Sequence, residues 1–151
     1  MVTTKKIART TAKILSDLEF KLTRTQSLPI SVAQVSISFI NDREMRKLNT
    51  VYRGKDKTTD VLSFSQIEGA TLIDPPSLGD VVISLDTAER QAHEYKVSLA
   101  RETLRLLVHG LLHLCGFDHE RVSARRMRQM QKMEDYLFAL HAPEADRWRL
   151  E

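Results

Sequence analysis

A chain of 151 residues, 28% of them charged and with a net charge of +3, is long enough to bury a core of its own. Its single cysteine excludes an intramolecular disulfide and fits a reducing compartment. No apolar run approaches a membrane span, and Met1 to Lys6 lead into no signal-peptide core, so a soluble cytoplasmic protein with no membrane partner is expected.

Taken in order, Ile7, Thr11, Ile14, Leu15, Leu18 and Leu22 recur three to four apart and predict an amphipathic helix over 7–24, ended by Ser27-Leu28-Pro29. Val35 to Phe39 alternates apolar and polar, as a half-buried strand does. Asn41, with Glu44 three residues on, is an N-cap for a short helix through Met45 and Leu48. Val51 to Asp60 reads as a polar loop turning at Gly54, and it feeds a strand over Val61 to Ser65. A second loop, Gln66 to Leu78, holds Gly69 and Pro75-Pro76 and no assignable chemistry. Gly79-Asp80 then introduces Val81 to Leu85, a β-branched run suited to a central strand.

From Asp86 the pattern becomes helical, with Asp86 and Glu89 as a capping box and Ala88, Ala92 and Tyr95 on one face. Ser98 caps the next helix, which carries Leu99, Leu106 and Val108 into His109 and His113. A last helix spans Val122 to Leu140 with Met130, Met133, Leu137 and Phe138 inside, the methionines serving as core filler. The tail from Pro143 to Glu151 is polar and loosely packed, with Trp148 available to dock it. No repeat or linker interrupts the chain. The expectation is one α+β domain over residues 1–151: a small mixed sheet covered by helices, with a three-histidine metal site at the end of a central helix.

That site rests on the run from His109 to His119. His109 and His113 stand one above the other on a helix face, and Gly116 is placed to end the helix through positive φ. His119 then has the reach to close on the same point. Three imidazoles with an open fourth position make a catalytic zinc site. The spacing is that of the peptidase motif H-E-x-x-H-x-x-G-x-x-H, but Gly110 stands where the general-base Glu belongs. Asp118 and Glu120 flank the last histidine and are placed to orient an imidazole, to act as a base, or simply to be solvated. Cys115, among Leu111, Leu112 and Leu114, reads as a buried small hydrophobe rather than a thiolate ligand.

Basic residues collect on both sides of this run: Arg53, Lys55 and Lys57 before it, and Arg121, Arg125, Arg126, Arg128 and Lys132 after it. Cations near a metal favour a polyanionic substrate, although the later cluster also fits a solvated helix face. For phosphodiester cleavage, Arg53 in its turn is the candidate to present paired donors to phosphate oxygens. Asp80 is either a brace for the loop or a histidine, or an ordinary turn residue.

Three blocks carry a resemblance: Leu48 to Phe64 (LNTVYRGKDKTTDVLSF), Leu78 to Ser84 (LGDVVIS) and the His109–His119 run. In this order they resemble the YbeY family of bacterial ribosomal-RNA maturation endoribonucleases, over roughly residues 32 to 120. The resemblance implies one zinc ion per chain on His109, His113 and His119, with His113 and Arg53 counted among the catalytic residues. Arg53, Lys55 and Lys57 are the expected RNA contacts. It further implies a single-strand-specific endoribonuclease acting at the 3′ end of 16S rRNA and in ribosome quality control. The implied partners are the small ribosomal subunit and ribosome-assembly factors. Phe117 replaces the usual Tyr before Asp-His, Thr58 a common Pro, and Ser65-Gln66 a strand end in Pro. None of these changes touches a ligand.

Two other readings compete. Amide hydrolysis would follow from the peptidase-like spacing if Asp118 or Glu120 supplied the base that Gly110 cannot. A ribosome-assembly factor whose zinc only staples the turn after Gly116 would present a similar surface.

Overall fold

The computed structural model describes residues 2–22, 34–66, 77–117 and 123–150. In chain order the elements are helix α1 (Val2–Leu22), strand β1 (Gln34–Ile40), helix α2 (Asp42–Arg53), and strands β2 (Val61–Ser65) and β3 (Ser77–Ser84). Three helices follow: α3 (Leu85–Tyr95), α4 (Leu99–Leu114) and α5 (Ala124–Ala145). The three strands form one mixed sheet in the order β1-β3-β2, with β1 parallel and β2 antiparallel to β3. The fold is α+β, as expected, and the β-branched run does form the central strand.

Side-chain alternation along β3 decides the layers. Val81 and Ile83 face a large core with Ile14 and Leu18 of α1, Leu104, Leu107 and Leu111 of α4, and Leu137 of α5. Val82 points the other way, onto Leu62 of β2 and Met45 of α2. The sheet is therefore covered on both faces, with α2 closing the smaller core among the described residues. Gly79 takes φ 126° where β3 meets β2, and a Cβ there would lie 1.9 Å from the Phe64 carbonyl oxygen, so no side chain fits.

Several local expectations change in three dimensions. Helix α1 begins at Val2 because its first turn docks on the tail: Thr3 Oγ1 donates to the Arg149 carbonyl at 2.9 Å and Lys6 Nζ to that of Arg147 at 3.0 Å. Gly79 and Asp80 lie within β3 instead of introducing it, opposite Ser65 and Phe64. The cap of α3 is Ser84, whose side chain accepts from the Thr87 N–H, two residues ahead of the Asp86–Glu89 pair. Asp86 instead accepts from the Asp42 backbone N–H at 2.9 Å, steadying the start of α2.

The tail is not loose. Helix α5 runs through Pro143 to Ala145, and Trp148 is 3% exposed in the main core. Lys13 pairs with Glu144, and Arg101 with Asp146 at 2.8 Å, pinning the end of α5 to α1 and α4. The capping residues Asn41 and Ser98 behave as their spacing predicts. Residues 23–33, with Ser27-Leu28-Pro29, and 67–76, with most of the second loop, lie outside the described residues.

Candidate active site

Helix α4 lies across β2 and β3, and its last turns carry the two histidines. Gly110 is the point of closest approach: a Cβ there would stand 2.6 Å from Val81 Cγ1 and 3.2 Å from Ser63 Oγ. Ser63 Oγ also donates to the Gly110 carbonyl at 3.2 Å, tying β2 to the helix between the two histidines. With residue 110 pressed on the sheet, His109 and His113 take another face and remain half-buried.

Their Nε2 atoms lie 3.0 Å apart, with ring centroids at 4.6 Å and planes inclined at 60°. Two ring nitrogens pointed at one another are accommodated by a shared proton or a bound cation. In a tetrahedral site with Zn–N of about 2.0–2.1 Å, two ligand nitrogens stand about 3.3 Å apart, close to this spacing. The donor chemistry of the pair therefore fits zinc. Beyond it, α4 ends in a turn in which Gly116 takes φ 94°, the left-handed region its lack of a Cβ allows. Gly116 N–H donates to the His113 carbonyl, and Phe117 N–H to that of Leu112, each at 3.1 Å. Phe117 packs against the core. The reversal expected after Gly116 thus begins as the sequence indicated. His119, Asp118, Glu120 and Arg121 lie outside the described residues, and no cluster of three metal-ligating side chains occurs among the described residues.

The partner of His109 was missed from the sequence. Its Nδ1 lies 2.5 Å from Oε1 of Glu134, on α5. Glu134 sits four residues after Met130 and three before Leu137, both buried, so it lies on the face of α5 that packs inward. An acid inside an apolar helical stripe is the signal that could have found it, because such a group needs a partner. The same stripe carries buried His141, whose Nε2 is 2.8 Å from Asp17 Oδ2 of α1. Cys115 is buried in the core, and burial pushes its thiol up to about 11.

Arg53 is the last residue of α2 instead of a loop residue, with Gly54 capping the helix at φ 67°. The basic turn after it is held at several points. Gly54 N–H donates to the Thr50 carbonyl at 3.1 Å, and buried Asn49 Nδ2 donates to the Lys57 carbonyl at 2.8 Å. Arg46 grips Asp56 in a two-pronged pair at 2.8 and 3.1 Å. Thr58 donates through Oγ1 to Asp42 Oδ1 at 3.0 Å, which ties the end of the turn to the start of α2.

Asp42 anchors this end of the molecule, also accepting from Ser84 and Thr87 and pairing with Arg90 at 2.6 Å. Burial alone would raise its pKa, but Arg90 and the three hydroxyls together hold its carboxyl well below the usual carboxylate range. Arg53, Lys55 and Lys57 are exposed and make no ion pair among the described residues.

The ring of Tyr52 meets Phe64 edge-on, centroids 5.1 Å apart. Since Phe64 follows Ser63, which bonds to Gly110, two side-chain contacts link the basic end of α2 to the histidine helix. Arg125, Arg126, Arg128 and Lys132 lie exposed on the first turns of α5. Among the described residues no helix is long and apolar enough to cross a membrane.

Comparison with known proteins agrees with this picture. A family model described as "Endoribonuclease YbeY" matches residues 1–140. A Myxococcus xanthus protein named "Endoribonuclease YbeY" is 48% identical over 121 residues, 79% of this chain, although the match spans only 40% of that longer protein. An Aquifex aeolicus protein of the same name is 45% identical over 115 residues, 75% of this chain and 73% of its own. A solution structure of a Thermotoga maritima protein shares the fold, with a TM-score of 0.54 at 22% identity over 92% of this chain and 89% of that one. The chain belongs to the endoribonuclease YbeY family.

Proposed function

We propose that this protein is a zinc-dependent, single-strand-specific endoribonuclease, one catalytic domain, acting at the 3′ end of 16S rRNA and in ribosome quality control. Its partners in this reading are the small ribosomal subunit and ribosome-assembly factors. His109, His113 and His119 hold one zinc ion, and Arg53, Lys55 and Lys57 engage RNA phosphates. The observation that supports it most is the pair of Nε2 atoms 3.0 Å apart, one ring braced by Glu134. Zinc held by three imidazoles supplies a Lewis acid that makes hydroxide available near neutral pH without a carboxylate base.

The chain's own groups do the rest. Arg53, at the end of a capped helix, presents paired donors to the phosphate oxygens as charge builds on them. Lys55 and Lys57 add point charges along the RNA backbone. Tyr52, 63% exposed and fixed edge-on by Phe64, offers a face on which an unpaired base stacks, a contact that favours single strands. A glutamate base at position 110 is disfavoured on steric grounds, so amide hydrolysis would need its base from Asp118 or Glu120.

The test is cleavage of a single-stranded RNA carrying the 16S 3′ end, with zinc content measured on the same preparation. Arg53→Ala, purified identically, is expected to stay folded, keep its zinc and cut about 100-fold more slowly or worse. Equal cutting by both proteins would remove Arg53 from the mechanism. Zinc binding without cutting by either would favour the assembly-factor reading. Product ends separate the two routes of attack: the RNA's own 2′-hydroxyl leaves a 2′,3′-cyclic phosphate and a 5′-hydroxyl, whereas water leaves a linear phosphate.

A further inference from the structure

We propose that Glu134 is a positioning residue for the metal site: it fixes the tautomer and plane of His109 and so sets how tightly zinc is held. The inference rests on the zinc reading above and adds to it a residue from a different helix, 25 positions along the chain.

The argument starts from donors and acceptors. An ionised carboxylate only accepts, so an imidazole nitrogen 2.5 Å from Glu134 Oε1 carries the proton of that contact. The proton of His109 is thereby placed on Nδ1, leaving Nε2 as the bare nitrogen. Nε2 is the atom that faces His113 Nε2 at 3.0 Å. A carboxylate behind a ligating imidazole also makes its free nitrogen a better donor and stops the ring from turning about χ2.

The contact is partly shielded from water, the two side chains being 26% and 17% exposed, so solvent competes poorly for it. Its geometry is set by packing on either side of Glu134: Met130 and Leu137, both buried in the main core, hold this stretch of α5 against α4. Glu134 and His109 thus stay in register only while those two helices are packed. α5 thus orients His109 from across the helix–helix seam, four residues before His113 on α4.

The experiment is zinc titration of the full chain against a chromogenic chelator, with wild type, Glu134→Ala, Glu134→Gln and His113→Ala. Removing an outer carboxylate of this kind weakens metal binding by about 10- to 100-fold, and that loss is expected for Glu134→Ala. Glu134→Gln keeps an oxygen that accepts from Nδ1–H and is expected to fall between Ala and wild type. A second readout is the imidazole 15N–1H spectrum of zinc-loaded protein: a His109 Nδ1–H signal is expected to exchange slowly in wild type and to be lost to solvent exchange in Glu134→Ala.

Zinc affinity within twofold of wild type in Glu134→Ala, while His113→Ala loses zinc, would overturn the positioning role and leave the zinc reading intact. No zinc binding by wild type, with His113→Ala indistinguishable from it, would sink both. Should Glu134→Ala fail to fold, Glu134→Gln decides: zinc affinity within twofold of wild type together with an unchanged Nδ1–H signal overturns the proposal.

Discussion

Val81 Cγ1 lies 2.6 Å from the point a Cβ of residue 110 would occupy, so the histidine-bearing helix rests on the central strand through the bare face of Gly110. The missing peptidase glutamate is thus a packing requirement as well as a chemical absence. Gly110→Ala gains about 1 kcal/mol of helix propensity but must displace a fully buried valine. Overpacking of that kind costs about 1–3 kcal/mol, so the net expectation is lower stability, read from the urea midpoint. Gly110→Glu should be worse and should bring no peptide hydrolysis.

Asp42 ties α2, the basic turn, β3 and α3 together through Arg90, Thr87, Ser84 and Thr58. Its folded-state pKa lies below its unfolded value, so the unfolded chain takes up the proton first as pH falls. The stabilisation is therefore complete above the unfolded value near pH 4 and drains away as pH falls toward the folded one. Asp42→Asn should cost about 2 kcal/mol at pH 7. Its Tm should also fall less steeply with pH below 4 than that of wild type. Parallel acid-side slopes for the two proteins would count against this network.

Lys55 and Lys57 are exposed on a braced turn, so in the proposed reading their side chains serve phosphates and carry little structural weight. For single-stranded RNA, each neutralised phosphate adds about 0.7 to the slope of log affinity against log salt. Lys55→Ala with Lys57→Ala should therefore flatten that slope by about 1.4, with melting unchanged. Equal slopes would place the RNA elsewhere.

Tyr52 should separate binding from chemistry. Tyr52→Ala is expected to raise KM by an amount corresponding to about 1–2 kcal/mol of stacking, with kcat little altered, and Tyr52→Phe to behave as wild type. A variant that lost kcat at constant KM would exclude the stacking role.

Trp148 closes the main core from the far end of the chain. Trp148→Ala should cost about 3–5 kcal/mol, seen as a lower denaturation midpoint, whereas a loose tail would tolerate it.

Local chemistry made much of this molecule legible from its sequence. The three-to-four spacing in α1, the alternation in β1, the β-branched run of β3 and the caps Asn41 and Ser98 all depend on neighbours within a few residues. Two histidines four apart share a face of any helix, so the pairing of His109 with His113 could be read before a fold existed. The error at Arg53 was also local: Val51 and Tyr52 look like loop residues because their exposed apolar side chains break the amphipathic pattern, yet the helix continues to its Gly54 cap.

What only the tertiary structure decided are the contacts whose partners are far apart in the chain. Glu134 reaches His109 across 25 residues, Asp42 gathers hydroxyls from the basic turn, β3 and α3, and Thr3 meets Arg149. Trp148 is buried because α1, α4 and α5 converge around it, a convergence that no periodicity within the tail encodes. Periodicity records which face of an element is apolar; which side chain it meets depends on how whole elements pack, and that is settled by the summed burial of the core.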